Sequence, residues 1–538
     1  MNEDLQTGLP DQERLIQTWL ALLQEAEPAS TLIETHVSWI LISGQYAYKV
    51  KKALHFGFLD YSDLAMRRFY CCEEIRLNRR TAPEIYLDVV QIGGDFSSPA
   101  LHASPALEYA VKMRRFNNEK QLDRLLEEDT LTAGDIDSLS RAVGDFHQGL
   151  MALPQGEAVS PYGTADFQLR TVAGNLQELG DLLTDPDDLA LWEEVKKAQI
   201  AEWLVCRDYF GQRQKAGFVC ECHGDLHMGN LVLVEGKVVP FDGIDFDPQY
   251  RWMDIMSDVA FAFMDLLYFR KAPFAWRFLN DYLEQTGDYE GVALLRFYAA
   301  YHATVRAKVH RIRLLQEMDG IRETVPAGAE YRRYMELANE LLTNRRPALI
   351  VTVGLPGSGK TVFAKMAVEK LSGICLRSDV ERIRLYGEER PAGGESGNDV
   401  RYTEQARERV YERLLDKADR LLRAGMTVIV DASFLKASHR ALFRKLAESR
   451  SVPFAMVSLV AGMETLQKRL EERQRRAEDA SDAGPEVLAL QKARMEPLET
   501  GERRFSVEFV NESDSGFDEN AAGWAVLSRL FEPERNLA

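Results

Sequence analysis

The stretch LIVTVGLPGSGKT, residues 349–361, constrains the fold more than any other part of this chain. A run of apolar, largely β-branched residues leads into G-x-x-x-x-G-K-T, and a helical pattern follows at once, so the segment reads as strand, glycine loop, helix. Such a loop turns backbone N–H groups inward on an anion, which explains Gly354, Gly357 and Gly359 with Ser358 among them. The helix that starts there adds positive potential. Lys360 is then placed to reach the β- and γ-phosphates of a nucleoside triphosphate, and Thr361 to ligate Mg²⁺. A coincidental glycine turn would not bring the strand before it and the helix after it. Downstream, the β-runs MTVIVDAS and FAMVSLV alternate with helical segments such as EQARERVYERLLDKADRLLRAG, which predicts parallel βαβ units.

Further residues around this loop bear on its chemistry. Asp379, in LRSDVERIRLYG, follows a short β-run, and Arg382 stands one helical turn further on, a pair that could serve an acceptor hydroxyl. Asp431 ends the run VIVDAS, the usual place for a carboxylate that orders Mg²⁺ and its waters. The segment LQKRLEERQRRAEDASDAGPE concentrates Lys468, Arg469, Arg473, Arg475 and Arg476. It reads either as a solvated helix face or as a lid in which Arg469 and Arg473 close on the nucleotide. From 348 to about 500 the chain resembles the P-loop kinases that include polynucleotide 5′-hydroxyl kinase, zeta-toxin-like and gluconate-kinase-like proteins. The resemblance rests on GLPGSGKT, the S-D-x-x-R of 378–382, the D-A-S-F of 431–434 and the arginine-rich segment. It implies that Asp379 is the base toward the acceptor and that Arg382 contacts the substrate or its phosphate. The acceptor stays open, because those relatives phosphorylate very different molecules.

Pro347 cannot continue the helical pattern that ends near 344, so the chain restarts there as a separate domain. At 538 residues, 46% hydrophobic and 28% charged, there is enough apolar material for two or more cores without staples. The net charge of -18 argues against extended binding to nucleic acid or anionic membrane. Six cysteines in so long a chain do not make a disulfide framework. The opening MNEDLQTGLPDQERL is neither basic nor apolar, and no later apolar run nears the ~20 residues of a membrane span. A cytoplasmic protein is expected.

Upstream of the boundary, CECHGDLHMGN at 220–230 admits two readings. Cys220, Cys222, His223 and His227 could hold zinc, but on an alternating strand the two cysteines would face away from His223. In the other reading His223, Asp225 and Asn230 reproduce H-x-D-x-x-x-x-N, where the Asp takes an acceptor proton and the Asn holds Mg²⁺. Asp242 ends a β-run twelve residues later, where a second metal carboxylate belongs, with Asp245 as the alternative. Earlier, YAYK places Lys49 on a strand as a phosphate-binding lysine, with Lys51 on the same face as runner-up. Glu74, or Glu73, lies on the helix that would pair with it. Residues 30–340 thereby resemble the aminoglycoside-phosphotransferase and choline-kinase branch of the protein-kinase-like fold, through HGDLHMGN, Asp242 and Asp254 in RWMDIMSDVAF. The resemblance implies that Asp254 and Asp258 brace the loop. The chain departs from protein kinases in lacking G-x-G-x-x-G before Lys49, leaving Gly44 to cover the phosphates.

Arg306, His310 and Arg313 share one helix face in YHATVRAKVHRIRLL, as a solvated or salt-bridged surface or as a site for an anionic acceptor. Together these readings give a multidomain α/β and α+β chain. A helical extension at 1–29 precedes a two-lobed kinase-like domain at 30–343. A P-loop domain at 347–505, a parallel sheet flanked by helices, is followed by a tail at 506–538. The expected chemistry is transfer of the γ-phosphate of ATP, with Mg²⁺, to a hydroxyl on a small molecule or a nucleic-acid end. The alternatives are one active kinase fused to a nucleotide-sensing domain, or a nucleic-acid 5′-end repair kinase.

Overall fold

The structure is a computed structural model that describes residues 8–56, 59–152, 161–319, 327–387, 403–476, 485–512, 517 and 522–529. The chain divides into two compact units, Met1–Phe269 with Phe297–Met335, and Arg270–Arg296 with Glu336–Ala538.

The first unit opens with the helix Leu9–Ala26, which has Pro10 in its first turn. Its Ile16 and Trp19 pack on Trp39, Leu41, Tyr48 and Val50, one face of a six-stranded antiparallel sheet. Strand order in that sheet is Thr31–Glu34, Ser38–Ser43, Tyr46–Lys51, Ala106–Arg114, Tyr86–Asp95, Ser98–Leu101. The other face carries Ala47, Tyr86, Val111 and Met113 against Cys71 and Ile75 of the helix Leu64–Asn78, whose N-terminus is capped by Asp63. Alternation along Tyr46–Lys51 sends Tyr48 and Val50 toward the first helix, and therefore Lys49 and Lys51 toward the second.

The second lobe of this unit is mostly helical and is interrupted by two hairpin-like pairs. Val219–Glu221 runs antiparallel to Trp252–Asp254, and Leu231–Val234 to Lys237–Pro240. Between these pairs hang the loops at 222–230 and 241–251. The helix Ile255–Tyr268 is buried from Ile255 through Leu266, so Asp258 and Asp265 sit inside the unit and must be satisfied there.

In the second unit five parallel strands lie in the order Gly373–Arg377, Thr427–Asp431, Leu349–Val353, Phe454–Val460, Ser506–Val510. The central strand Leu349–Val353 is wholly buried, as a strand covered on both faces requires. Two expectations are corrected here. Residues 506–510 are the fifth strand rather than tail, and Trp524 beyond them stacks on Phe363 of the helix Lys360–Leu371, with centroids 5.0 Å apart. The helix Ala272–Thr286, which the sequence assigns to the kinase-like domain, belongs to this unit. Its Asn280 donates Nδ2–H to the Gly373 carbonyl (2.9 Å) and accepts from Cys375 N–H (2.7 Å), so a side-chain amide pairs with the open edge of the first strand. Arg377, on that strand, also pairs with Glu284 at 2.7 Å. The change of unit falls in the short break between the helices Ile255–Tyr268 and Ala272–Thr286, the second of which has Pro273 in its first turn. Among the described residues no helix is long and apolar enough to cross a membrane.

Candidate functional site

In the first unit five charged side chains converge between sheet, helix and loop. Lys49 Nζ lies 2.9 Å from Glu74 Oε1 and 2.6 Å from Asp242 Oδ1. Lys51 Nζ lies 2.7 Å from Glu74 Oε2 and also contacts Asp245 Oδ2. Glu74 is thus shared by two lysines, each of which has a second carboxylate of its own. Solvent access separates the pairs. The Asp242 side chain is 45% exposed and that of Lys49 15%, whereas Lys51 is 2% exposed and Asp245 10%. The Lys49 and Asp242 pair faces the open side of the site, and Lys51 with Asp245 forms the buried support behind it. Glu73 points elsewhere, to Arg76 at 2.8 Å.

Burial alone would lower the pKa of Lys49, but Asp242 and Glu74 outweigh it and hold the amine well above the usual lysine value. Burial likewise opposes the charge on Glu74, and the two lysines overcome it and keep the carboxyl low. Asp242 adopts a left-handed backbone with φ 59°, which costs a residue other than glycine about 1 kcal/mol. That turn is held from both sides: Tyr86 Oη accepts from Asp242 N–H at 3.1 Å, and Asn78 Oδ1 accepts from Gly243 N–H at 2.8 Å.

Opposite this cluster stands the loop at 222–230. Gly224, at φ 85°, is obligatory there, because an added Cβ would lie 2.5 Å from the Tyr250 carbonyl. Asp258 accepts the N–H groups of His223 (2.8 Å) and Gly224 (2.9 Å). Asp265 accepts that of Met228 (2.8 Å). Asp254 caps its own helix and pairs with buried Arg213 at 2.6 Å. The tautomer of His223 follows from its contacts. Nε2–H donates to the Phe241 carbonyl (2.9 Å), which leaves Nδ1 to accept from Asp225 N–H (3.3 Å). Burial lowers the His223 pKa, so the ring is a neutral strut. Asn230 donates Nδ2–H to the Asp225 carboxylate (2.9 Å) and carbonyl (3.0 Å). His227 Nε2 lies 3.5 Å from the same carboxylate. Burial would raise the Asp225 pKa, but His227 and then Arg306 bring it down to about 2.

A divalent cation fits this donor set. Asn230 spends its NH₂ group on Asp225, which leaves the amide oxygen, and the half-exposed Asp242 adds carboxylate oxygen, the hard donors Mg²⁺ prefers. Zinc does not follow from the cysteines. Among the described residues the one group with metal-ligand spacing is His147, Cys222 and Asp258, all buried. Both Asp258 oxygens already bind loop N–H groups, and burial pushes the Cys222 thiol up, away from the thiolate zinc needs. Cys220, His223 and His227 are not part of that group.

In the second unit the loop at 354–359 closes on itself. Gly359 has φ 92° and an added Cβ would meet Asn511 Nδ2 at 2.2 Å, while at Gly354 it would meet Ser358 Oγ at 2.7 Å. Ser358 Oγ is buried with no hydrogen-bond partner among the described residues. Lys360 Nζ donates to the Leu355 carbonyl (2.9 Å), arched over the loop. Thr361 Oγ1 donates to Asp431 Oδ2 (2.8 Å), so the hydroxyl and carboxylate proposed for Mg²⁺ are neighbours at the ends of adjacent elements. Burial raises the Asp431 pKa, against the opposing charges of Lys360 and Arg377. These glycines and oxygen donors fit a polyphosphate with its cation. On the helix Ser378–Tyr386, Arg382 pairs with Asp379 one turn away. Arg469 donates to the carbonyls of Gly357 (3.4 Å) and Asn511 (3.1 Å). The side chain of Arg473 lies outside the described residues. Sequence reasoning missed Asn511, for which no local signal exists, and Asp265, whose signal is an acid inside the apolar run FAFMDLLYF.

Comparisons with known proteins agree with these two regions. Residues 99–295 match the family described as "Phosphotransferase enzyme family", and residues 349–498 the family described as "AAA domain". The chain is 28% identical over 486 residues to uncharacterized proteins of Mycobacterium tuberculosis and Mycobacterium bovis, covering 89% of this chain and 92% of each relative. Among solved structures, a choline/ethanolamine kinase family protein from Mesorhizobium loti is 12% identical, covering 61% of this chain and 95% of that one, with a TM-score of 0.37. A gluconokinase from Sinorhizobium meliloti 1021 is 23% identical, covering 34% and 95%, with a TM-score of 0.26. The chain thus joins a region similar to the phosphotransferase enzyme family, 99–295, to one similar to the AAA domain family, 349–498.

Proposed function

We propose that each unit transfers the γ-phosphate of ATP to the hydroxyl of an acceptor, a small molecule or a nucleic-acid end, in the cytoplasm. The observation that carries this reading is Lys49 held between Glu74 and Asp242, opposite an Asp225 carboxylate that is steadied by Asn230 and His227. In the first unit Lys49 neutralises phosphate charge, and Asn230 and Asp242 hold the metal. Asp225 orients the acceptor hydroxyl and takes its proton as the oxygen attacks the γ-phosphorus. The bond from that phosphorus to the bridging oxygen breaks, ADP leaves, and Asp225 returns the proton to solvent. With a pKa near 2 it is a weak base, so its main work is orientation before the proton moves late in the transfer. In the second unit Lys360 and the glycine loop hold phosphate, Thr361 and Asp431 hold the metal, and Asp379 faces the acceptor with Arg382 beside it. Bound Mg²⁺ supplies neutralisation of phosphate charge at both sites.

The test uses the full chain with γ-labelled ATP and a cytosolic extract of metabolites and RNA. Asp225→Asn and Asp379→Asn should each remove a different labelled product while nucleotide binding by titration persists. If Asp225→Asn leaves every product in place and Asp379→Asn removes them all, the first unit is a nucleotide sensor and the two-kinase reading fails.

A further inference from the structure

The helix Val292–Asp319 brings a cation to the catalytic loop of the first unit that the chemistry above does not use. Arg306 lies with its guanidinium carbon 5.8 Å from the centroid of the Tyr334 ring. Its side chain hydrogen-bonds Tyr334 and faces the charges of Asp265 and Asp225, while its Nε is buried with no hydrogen-bond partner among the described residues. One turn on, His310 stacks on the same ring at 5.4 Å. Its Nδ1 lies 2.7 Å from Glu330 Oε2, while its Nε2 is buried and has no hydrogen-bond partner among the described residues. Tyr334 ties this pair to the loop, since its hydroxyl donates to Asp265 Oδ1 (3.3 Å) and the other oxygen of Asp265 accepts from Met228 N–H. Arg306 is also close enough that its charge is among the causes that keep Asp225 ionised.

A buried N–H of a cation without a partner is uncommon and costly. A carboxylate or phosphate oxygen would satisfy it, and a guanidinium presents its donors in the fork such groups match. His310 adds a complementary function. Burial, then Arg306 and Arg313, lower its pKa to about 4, so near neutral pH the ring is uncharged. With Nδ1–H given to Glu330, Nε2 is left to accept a hydroxyl proton. Two acids border this patch: Asp265 accepts from Tyr334 Oη and Met228 N–H, and Glu330 lies against His310 Nδ1.

We propose that the acceptor of the first unit is a hydroxylated anion, bearing a carboxylate or phosphate group beside the hydroxyl that is phosphorylated, and that Arg306 binds the anionic group while His310 accepts from a neighbouring hydroxyl. This rests on the reading of Asp225 as the group that receives the acceptor proton.

The test separates a metabolite extract by charge into anionic, neutral and cationic pools, and offers each with γ-labelled ATP to the full chain and to Asp225→Asn. Asp225-dependent label should appear in the anionic pool, and treating that pool with phosphatase beforehand distinguishes a phosphate from a carboxylate. Arg306→Gln should cut the rate at low pool concentration on the order of 10–100-fold. The rate should recover as the pool is concentrated, and Arg306→Lys should restore part of it. Hydrogen exchange of the strand Tyr46–Lys51, unchanged in both variants, shows that the first unit is folded. Asp225-dependent label in the neutral or cationic pool, or anionic label indifferent to Arg306→Gln, overturns the proposal and leaves the kinase reading standing. Absence of Asp225-dependent label from every pool means that the kinase reading itself has failed.

Discussion

At the first site Lys49, Lys51, Glu74, Asp242 and Asp245 arrive from three separate stretches of chain and pair inside the unit, with one carboxylate in excess of the two lysines. At the second, one uninterrupted run, 354–361, supplies most of the phosphate site, and its carboxylate Asp431 ends the neighbouring strand. The first arrangement depends on charge pairing in a desolvated place, where each member is tolerable only because the others are present. The second depends on backbone shape, with a lysine added at its rim. Removal of a charged residue should therefore damage the fold at the first site and only the chemistry at the second.

The largest expected effect is at Glu74. Glu74→Ala leaves two buried lysines short of a shared partner and should cost about 3–5 kcal/mol in the first unit. Hydrogen exchange would show it as faster opening of the strand Tyr46–Lys51, with the strand Leu349–Val353 unchanged. Equal acceleration in both strands would break the contrast. Lys360→Ala is the counterpart. It should lower Asp379-dependent transfer on the order of 10²–10³-fold while the urea midpoint of the second unit stays in place, because the loop is held by its glycines and by Asn511.

Acid should divide the units next. Burial lowers the pKa of His302 to about 4, and His223 is lowered by the same cause. Folded values below the unfolded one mean that the unfolded chain binds protons first as pH falls. Stability is then full above about pH 6.5 and lost progressively toward pH 4, by roughly 3 kcal/mol from His302 alone. In the second unit the lowered carboxylates, such as Glu381, give up stability only below their ordinary range. Urea melts at pH 7 and pH 5, followed by exchange in each unit, should show the first weakening alone; a parallel loss in both would remove the distinction. The smallest effect concerns the cysteines. Cys222→Ser should retain Mg²⁺-dependent transfer within a few-fold, and the purified protein should carry no stoichiometric zinc by elemental analysis. One zinc per chain, lost in that variant, would make the loop a metal centre.

Much of both sites is legible in the order of residues. The loop at 354–361 can be read because phosphate recognition by a strand, a glycine turn and a helix is completed within thirteen residues. H-x-D-x-x-x-x-N is legible for a similar reason, since Asp225 and Asn230 meet within one loop. Asp254 and Asp258 brace the structure as the resemblance implies, because an acid in an apolar helix has to find its partners inside. The sequence left open which lysine and which carboxylate face the site. Lys49 and Lys51 share a strand face, and Asp242 and Asp245 share a loop, so residue type and spacing are the same for both pairs.

Tertiary structure separates them by burial. Lys49 and Asp242, 193 residues apart, meet where solvent reaches, and Lys51 and Asp245 meet behind them where it does not. It also decides that the helix Ala272–Thr286 pairs through Asn280 with a strand edge about a hundred residues later, and that 506–510 completes a sheet. Local motifs survive in the sequence because their free energy is collected among neighbouring residues. Desolvation and long-range Coulomb attraction are sums over whatever the fold brings together, and no contiguous run of this chain contains those sums.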